Sequence, residues 1–233
     1  MDDIIQFWSR GYFTQAISLF ISIIAFLVAI NKRKKNSQHN LLILFLSSYI
    51  VCQIVAIIDV SINHNGNRPE IRFLFFLLDF SITIIELVVF TVLIRIFILN
   101  EKMKIVLRYL PIIFFTFLIA TFIIKANFNF SQPFIQQVFT IQAFFLIIPC
   151  IFYYIDLFNR EPSLELLNEP SFWIVTGLSF FMVCTLPFSI FGEYIMRSNY
   201  KLYLELFSIF NIFYCLLFVM IIRSYLCKPQ QAR

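Results

Sequence analysis

A long apolar run with acidic side chains inside it occupies residues 72–100 and reads RFLFFLLDFSITIIELVVFTVLIRIFILN. A helix needs roughly 20 apolar residues to cross the hydrocarbon core of a bilayer, so this run is long enough to span a membrane. Asp79 and Glu86 are seven residues apart and share a helical face, whereas Arg95 faces the opposite side. A carboxylate at mid-membrane depth is costly unless it is paired, hydrated or protonated. We therefore predict that other membrane helices pack around this face.

The composition extends this prediction to the whole chain. Of its 233 residues, 61% are hydrophobic and 13% are charged, which is about half the charged fraction of an ordinary soluble domain. Seven apolar runs with short loops between them occupy residues 11–30, 41–60, 72–99, 109–125, 134–158, 171–191 and 202–226. We predict an all-α fold in which residues 1–233 form a single domain of seven transmembrane helices.

The positions of lysine and arginine predict the orientation. With the N-terminus outside, twelve of the 18 basic residues fall on the inner side and the other six on the outer side. The four consecutive basic residues 32–35 are the strongest orienting element. Because basic loops stay in the cytoplasm, we expect the N-terminus outside and the C-terminus in the cytoplasm.

Two pairs of spans share short phrases. FTQA at residues 13–16 returns as FTIQA at 139–143, and LDFSI at 78–82 returns as LELFSI at 204–209. These matches relate the first span to the fifth and the third to the seventh, as a parallel three-plus-one-plus-three duplication would. Each match needs a one-residue gap, and the alternative is chance similarity between helices rich in Phe and Ile.

Polar side chains inside the spans are the candidates for a ligand site. The candidate ligand-binding residues are Asp59, Asp79, Glu86, Glu205 and Asn211, and the other amides within reach of Glu86 are Gln53 and Gln142. An acidic cavity open to the outside would suit a cationic ligand, protons or a protonated carboxyl network. The alternatives are interhelical hydrogen bonds that fix the packing, a helix-start role for Glu205 and a headgroup position for Asp59. We expect Glu86 to face the interior and to be protonated at neutral pH, because no basic residue lies at its depth.

The connection at residues 159–170 is the least membrane-like segment. It carries Glu161, Glu165 and Glu169, which are candidates for docking a cytosolic or membrane signalling partner, with a merely solvated connector as the alternative. Asp156 precedes this connection at the end of the fifth span, where the helix dipole disfavours an anion. We expect Arg160, four residues further on, to offset that cost.

The chain lacks the residues that several classes of protein function need. The chain has no HExxH, GxSxG or P-loop motif and no lysine inside the seventh span for a retinal Schiff base. It also has no CxxC or Cys/His cluster, so we expect no metal, no cofactor and no enzymatic activity. The net charge of +5 comes mostly from short loops at helix ends, which gives no indication of nucleic-acid binding.

The segment NEPSFWIVTG at residues 168–177 resembles the P-x-F-W-I-x-x-G stretch of a family of small multi-helix membrane proteins abundant in Bacteroidota. That family similarly has an acidic residue after isoleucine in its third span, here Glu86, and an asparagine near the middle of its last span, here Asn211. The resemblance covers most of the chain, but only the Phe-Trp-Ile segment is specific. It implies a bacterial membrane protein similar to the sensor segments of two-component systems, without a kinase domain of its own.

These observations lead to one hypothesis and two alternatives. The hypothesis is a sensor or signalling subunit of the inner membrane that acts on a partner protein through its cytoplasmic loops. The first alternative is a small transporter or channel built from a duplicated three-helix unit. The second is a membrane effector of a defence system.

Overall fold

Seven helices, each long and apolar enough to cross a membrane, make up the described part of the protein. The computed structural model describes residues 13–32, 37–63, 69–124, 132–160 and 166–227. The helices are α1 (Phe13–Asn31), α2 (Ser37–Asn63), α3 (Pro69–Phe97), α4 (Glu101–Ile124), α5 (Gln132–Phe158), α6 (Pro170–Ser198) and α7 (Tyr200–Leu226). A single turn of 3-10 helix, Leu166–Asn168, precedes α6. The predicted all-α fold with seven transmembrane spans is confirmed.

Six of these helices form a closed ring. Each packs on the next in the order α1, α2, α3, α5, α6, α7, and α7 packs back on α1. The remaining helix, α4, lies outside this six-helix ring against α3 and α5. Its outer face carries exposed apolar side chains, among them Ile112, Ile113 and Ile119, as expected for contact with a lipid bilayer.

The two ends of the ring differ in charge. Because consecutive helices are antiparallel, α1, α3, α5 and α7 all finish at the same end. We call it the basic end, since its residues include Lys32, Arg95, Arg160 and Arg223. The opposite end is called the far end.

The order of helices has the arrangement that the predicted duplication requires. If α1–α3 and α5–α7 were equivalent units, the contacts α1–α2, α2–α3 and α3–α5 would correspond to α5–α6, α6–α7 and α7–α1. All six contacts are present. Gln15 and Gln142, which the repeated phrases align, are both buried. The duplication itself stays a prediction.

The fourth helix begins earlier than its apolar run. The side-chain Oδ1 of Asn100 accepts hydrogen bonds from the backbone N–H groups of Lys102 at 3.0 Å and Met103 at 3.4 Å, which caps the helix at Glu101. The apolar run at residues 109–125 leads to the expectation that Pro111 lies near a helix start, but Pro111 lies inside α4. The expectation was wrong because hydropathy marks the hydrocarbon core, whereas a capped helix continues into the polar surface.

Small side chains let α1 approach its neighbours closely. Its buried residues include Ser18, Ser22, Ala25 and Ala29, spaced by four, three and four positions along one face. The chain contains no GxxxG motif, and serine and alanine provide the close packing here.

The contact between α6 and α7 depends on a glycine. A Cβ atom added at Gly177 would lie 2.8 Å from Cβ of Met220 on α7, closer than real Cβ contacts allow. Any larger residue would therefore push the two helices apart at this point.

Aromatic side chains fill the centre of the six-helix ring. The centroid of the Phe45 side chain on α2 lies 4.9 Å from that of Phe90 on α3. Tyr49, one turn further along α2, contacts Phe218 at 4.7 Å and Tyr214 at 4.9 Å on α7. These contacts join α2 to both sides of the ring.

Candidate functional site

The carboxyl group of Glu86 lies in the interior of the bundle, where the residue is 2% exposed. Nε2 of Gln142 on α5 donates to Oε2 of Glu86 at 2.8 Å and to the main-chain oxygen of Thr83 at 3.1 Å. The second carboxyl oxygen, Oε1, is buried and has no hydrogen-bond partner among the described residues. The expectation that Glu86 faces the interior is confirmed, and Gln142 is the predicted amide that binds it.

The surroundings of Glu86 favour a neutral carboxylic acid. The ion pairs that the structure shows between described residues join Lys104 to Glu101 and Arg160 to Asp156, and neither involves Glu86. A buried carboxylate with one hydrogen bond and no cation is strongly disfavoured relative to its protonated form. The protonation of Glu86 at neutral pH stays a prediction.

Asp79 lies two turns from Glu86 towards the far end and also points into the bundle. Its Oδ1 accepts a hydrogen bond from Sγ of Cys52 on α2 at 3.4 Å, and its main-chain oxygen accepts one from the Thr83 hydroxyl at 2.7 Å. The acidic face of α3 is therefore shared between α2 and α5, its two neighbours in the six-helix ring.

Two further hydrogen bonds connect α1 with α2. Nε2 of Gln15 donates to Oε1 of Gln53 at 2.8 Å, and the hydroxyl groups of Ser18 and Tyr49 lie 2.7 Å apart. Gln53, which we considered as a partner for Glu86, binds Gln15 instead because α1 covers that face of α2. We call the whole set the interior polar seam, and its members are Gln15, Ser18, Tyr49, Cys52, Gln53, Asp79, Thr83, Glu86 and Gln142.

Most members of this seam were not predicted from the sequence. Gln15 and Ser18 are three residues apart, and Ser22 follows after four, which places all three on one helical face. This polar stripe in an apolar helix was the signal that could have identified α1 as part of the seam.

The other predicted ligand residues lie apart from this seam. Asn211 is buried on α7, but its Nδ2 has no partner in the described ranges, so it does not bind Glu86 as considered. Glu205 lies on the exposed surface of α7 and does not line an interior cavity with Asp79. Asp59 is in α2, but its side chain lies outside the described residues.

A second polar cluster ties α5 to the connection between α3 and α4 at the basic end. Asp156 is 6% exposed, and its two carboxylate oxygens accept the backbone N–H groups of Leu99 and Asn100, each at 3.0 Å. Arg160 donates from Nε at 3.1 Å and from Nη2 at 2.6 Å to Oδ2 of Asp156, and from Nη2 to the main-chain oxygen of Phe97 at 2.7 Å. The expected role of Arg160 is confirmed, and the cluster also closes the end of α3.

The predicted docking residues are described only in part. Glu169 directly precedes α6, is half-buried and accepts a hydrogen bond from the Ser171 hydroxyl at 3.4 Å. Glu161 and Glu165 lie outside the described residues.

An apolar groove of about 400 Å³ lies between α6 and α7 towards the far end. Its lining residues include Cys184, Pro187, Phe188, Leu206 and Phe210. The hydroxyl group of Thr185, which also lines it, already donates to the main-chain oxygen of Phe181 at 2.8 Å. This groove is not predictable from a local sequence pattern, because it is formed jointly by the surfaces of two helices.

Comparison with known proteins adds no further assignment. No protein-family model, curated protein or solved structure matches the chain. The resemblance to the Bacteroidota family therefore stays a hypothesis. In the part of the chain that the structure describes, no three His, Cys, Asp or Glu residues come together in a way that could hold a metal ion.

Proposed function

We propose that the protein is a sensor or signalling subunit that binds an apolar, membrane-dissolved molecule between α6 and α7 and acts on a partner protein through its cytoplasmic loops. The observation that carries this proposal is the apolar groove beside Pro187. Its volume of about 400 Å³ is within the range of small-molecule pockets. Since its lining is almost entirely apolar, the ligand that fits it has few polar groups and reaches it from the bilayer.

The helix α6 links this groove to the connection at residues 159–170, which we call the acidic connection. Pro187 lies inside α6 and removes one backbone hydrogen bond there, which is a usual cause of a bend. At the other end of α6, Nε1 of Trp173 donates to the main-chain oxygen of Leu167 at 2.7 Å. A shift of α6 caused by a ligand would therefore be passed to the segment that precedes it, as in a hinge-type transition.

The start of α6 is also bonded to α5. The Tyr153 hydroxyl lies 3.1 Å from the Ser171 hydroxyl, and the Tyr154 hydroxyl donates to Oγ1 of Thr176 at 3.1 Å. Both helices that flank the acidic connection would thus respond together to a movement of α6.

A transporter is the second candidate. The buried carboxyl of Glu86 and a six-helix ring with the order of a duplicated unit favour it. Against it, each of the seven spans is a continuous helix within the described residues, whereas many transporters bind substrate at helices that are broken at mid-membrane.

We expect the double variant Glu161→Ala/Glu165→Ala and the triple variant that adds Glu169→Ala to lose the partner while the membrane fold stays intact. The double variant matters because Glu169 precedes α6 directly and its removal can disturb the helix start. The measurement is quantitative co-purification from native membranes after crosslinking. Glu101→Ala, which removes an exposed acid at the same end, is the matched control and should retain the partner.

The same preparations test the groove. Cys184→Phe should fill it and eliminate an apolar molecule that co-purifies with the wild-type protein, as detected by mass spectrometry of extracts. Val183→Phe adds the same side chain at the neighbouring, exposed position and should leave that molecule bound. The transporter would instead be established if the purified protein takes up substrate in proteoliposomes and the double and triple glutamate variants leave this uptake unchanged.

We further propose that the protein lies in a bacterial inner membrane with its N-terminus outside, so that the basic end is cytoplasmic. The resemblance to the Bacteroidota family supports the location, and the twelve-to-six distribution of basic residues supports the orientation. A green fluorescent protein fused after Lys228 should fluoresce and alkaline phosphatase fused there should be inactive. Active phosphatase at that position would reject this orientation.

A further inference from the structure

A polar cleft of about 300 Å³ opens at the basic end of the bundle. It lies where α1, α3 and α7 finish and where α2 and α6 begin. Lys32, Gln38, His39 and Tyr225 supply its polar surface, and Leu42 and Ile174 lie beneath them. It is separate from the groove between α6 and α7, which is at the far end.

The hydroxyl group of Tyr225 lies buried in this cleft without a hydrogen-bond partner among the described residues. The aromatic group of Tyr225 stacks on His39 with their centroids 5.0 Å apart, which fixes the position of the hydroxyl. A buried hydroxyl that is held in place and has no acceptor is costly, so such groups usually bind a water or a ligand. The hydroxyl of Ser224, which also lines the cleft, is not available to donate to a ligand, because it donates to the main-chain oxygen of Ile221 at 2.7 Å.

The charges around the cleft favour an anion. Its lining includes Lys32, which is the first of four consecutive basic residues in the sequence, and includes no acidic side chain among the described residues. Glu169 directly precedes the lining residue Pro170 but is not itself part of the lining.

We propose that this cleft binds a phosphate-type oxyanion, with Lys32 supplying the charge and the Tyr225 hydroxyl donating a hydrogen bond. Because the cleft opens at an end of the membrane-spanning bundle, the phosphate can belong to the headgroup of an anionic lipid or to a soluble molecule. The inference does not depend on the ligand of the apolar groove.

Two arms of one experiment distinguish these sources. In the first, the full chain is reconstituted in nanodiscs of phosphatidylcholine and phosphatidylglycerol, and the retained phosphatidylglycerol is counted by native mass spectrometry. In the second, the protein in a phosphate-free maltoside detergent is dialysed to equilibrium against radiolabelled inorganic phosphate. Binding in the first arm alone assigns a lipid headgroup, and binding in the second assigns a soluble phosphate.

Tyr225→Phe is the sharpest variant, because it keeps the aromatic stack with His39 and removes only the hydroxyl. We expect it to weaken binding about tenfold in the arm that shows binding, as the loss of one hydrogen bond to a charged group does. Lys32→Gln should weaken binding as well, and Lys32→Arg should restore it. Lys102→Gln, an exposed basic residue at the same end, should bind like the wild type.

Two results would overturn the proposal. One is the absence of retained phosphatidylglycerol and phosphate in both arms. The other is equal binding by the wild type and Tyr225→Phe while the native cysteines of both proteins show the same protection from a thiol reagent, which would place the anion elsewhere.

Discussion

Glu86→Lys should prevent the protein from folding, whereas Glu86→Gln should leave the fold intact. Glu86 is 2% exposed and receives its hydrogen bond from an amide N–H of Gln142. A lysine at this position would place an unpaired ammonium group against that donor, at a cost of several kcal/mol. Asp79 lies two turns away, about 10 Å along the helix, which is too far for a direct ion pair. Glutamine has the same shape and can accept the bond from Gln142 through its amide oxygen.

The native cysteines provide the measurement. Cys52 and Cys150 are buried, whereas the other three cysteines are partly exposed. The additional labelling by a thiol-reactive fluorophore, beyond that of the folded protein, therefore reports unfolding as the protein is heated in detergent. We expect Glu86→Gln to retain most of the wild-type melting temperature and Glu86→Lys to be labelled at the two buried cysteines without heating. Glu205→Lys makes the same change at an exposed position of α7 and should change the melting temperature little. A Glu86→Gln variant that does not fold would contradict this prediction.

Asp156→Ala should lower the free energy of unfolding by up to about 3–5 kcal/mol. That is the range for a fully buried ion pair that loses one partner, and the Arg160 side chain is 24% exposed. The variant would leave the guanidinium of Arg160 without its carboxylate and the backbone N–H groups of Leu99 and Asn100 without acceptors. The connection between α3 and α4 would then lose its attachment to α5. The change is measured by chemical denaturation in mixed micelles, with the protection of the buried cysteines from a thiol reagent as the signal.

Glu101→Ala is the matched control for this prediction. The carboxylate of Glu101 forms a 2.7 Å ion pair with Lys104, but its side chain is 77% exposed, so its loss should cost less than about 1 kcal/mol. The double variant Asp156→Ala/Arg160→Ala should be more stable than the sum of the two single changes predicts, because it leaves no unpaired charge. If Asp156→Ala is no more destabilising than Glu101→Ala, the cluster does not stabilise the basic end.

The positions of the seven spans could be predicted because the length of an apolar run is determined by the thickness of the bilayer. The ends of the helices were less accessible to prediction. The early start of α4 depends on one side chain, Asn100, which caps the helix in a polar segment that hydropathy assigns to a loop. A local hydrogen bond of this kind is not visible in an average over twenty residues.

For the candidate site, the sequence indicated which residue lies in the interior but not which residue is its hydrogen-bond partner. A carboxyl group inside a span has to face other helices, so the interior position of Glu86 followed from the sequence. The choice between Gln53 and Gln142 as its partner depends on the rotation of α2 and α5 and on the position of α1, which no local pattern specifies. The hydrogen bonds that Asp156 accepts could not be predicted from a local pattern either, because the N–H groups that it binds lie 56 and 57 residues away in the chain.

The position of α4 outside the six-helix ring bears on how such a protein could have arisen. A unit of three helices starts on one side of the membrane and finishes on the other, so a fused second copy would run upside down. One additional crossing restores the original direction, and it need not contribute to the interior. On the hypothesis of a duplication, two separate chains of three helices, inserted the same way, would build the same ring with no counterpart of α4.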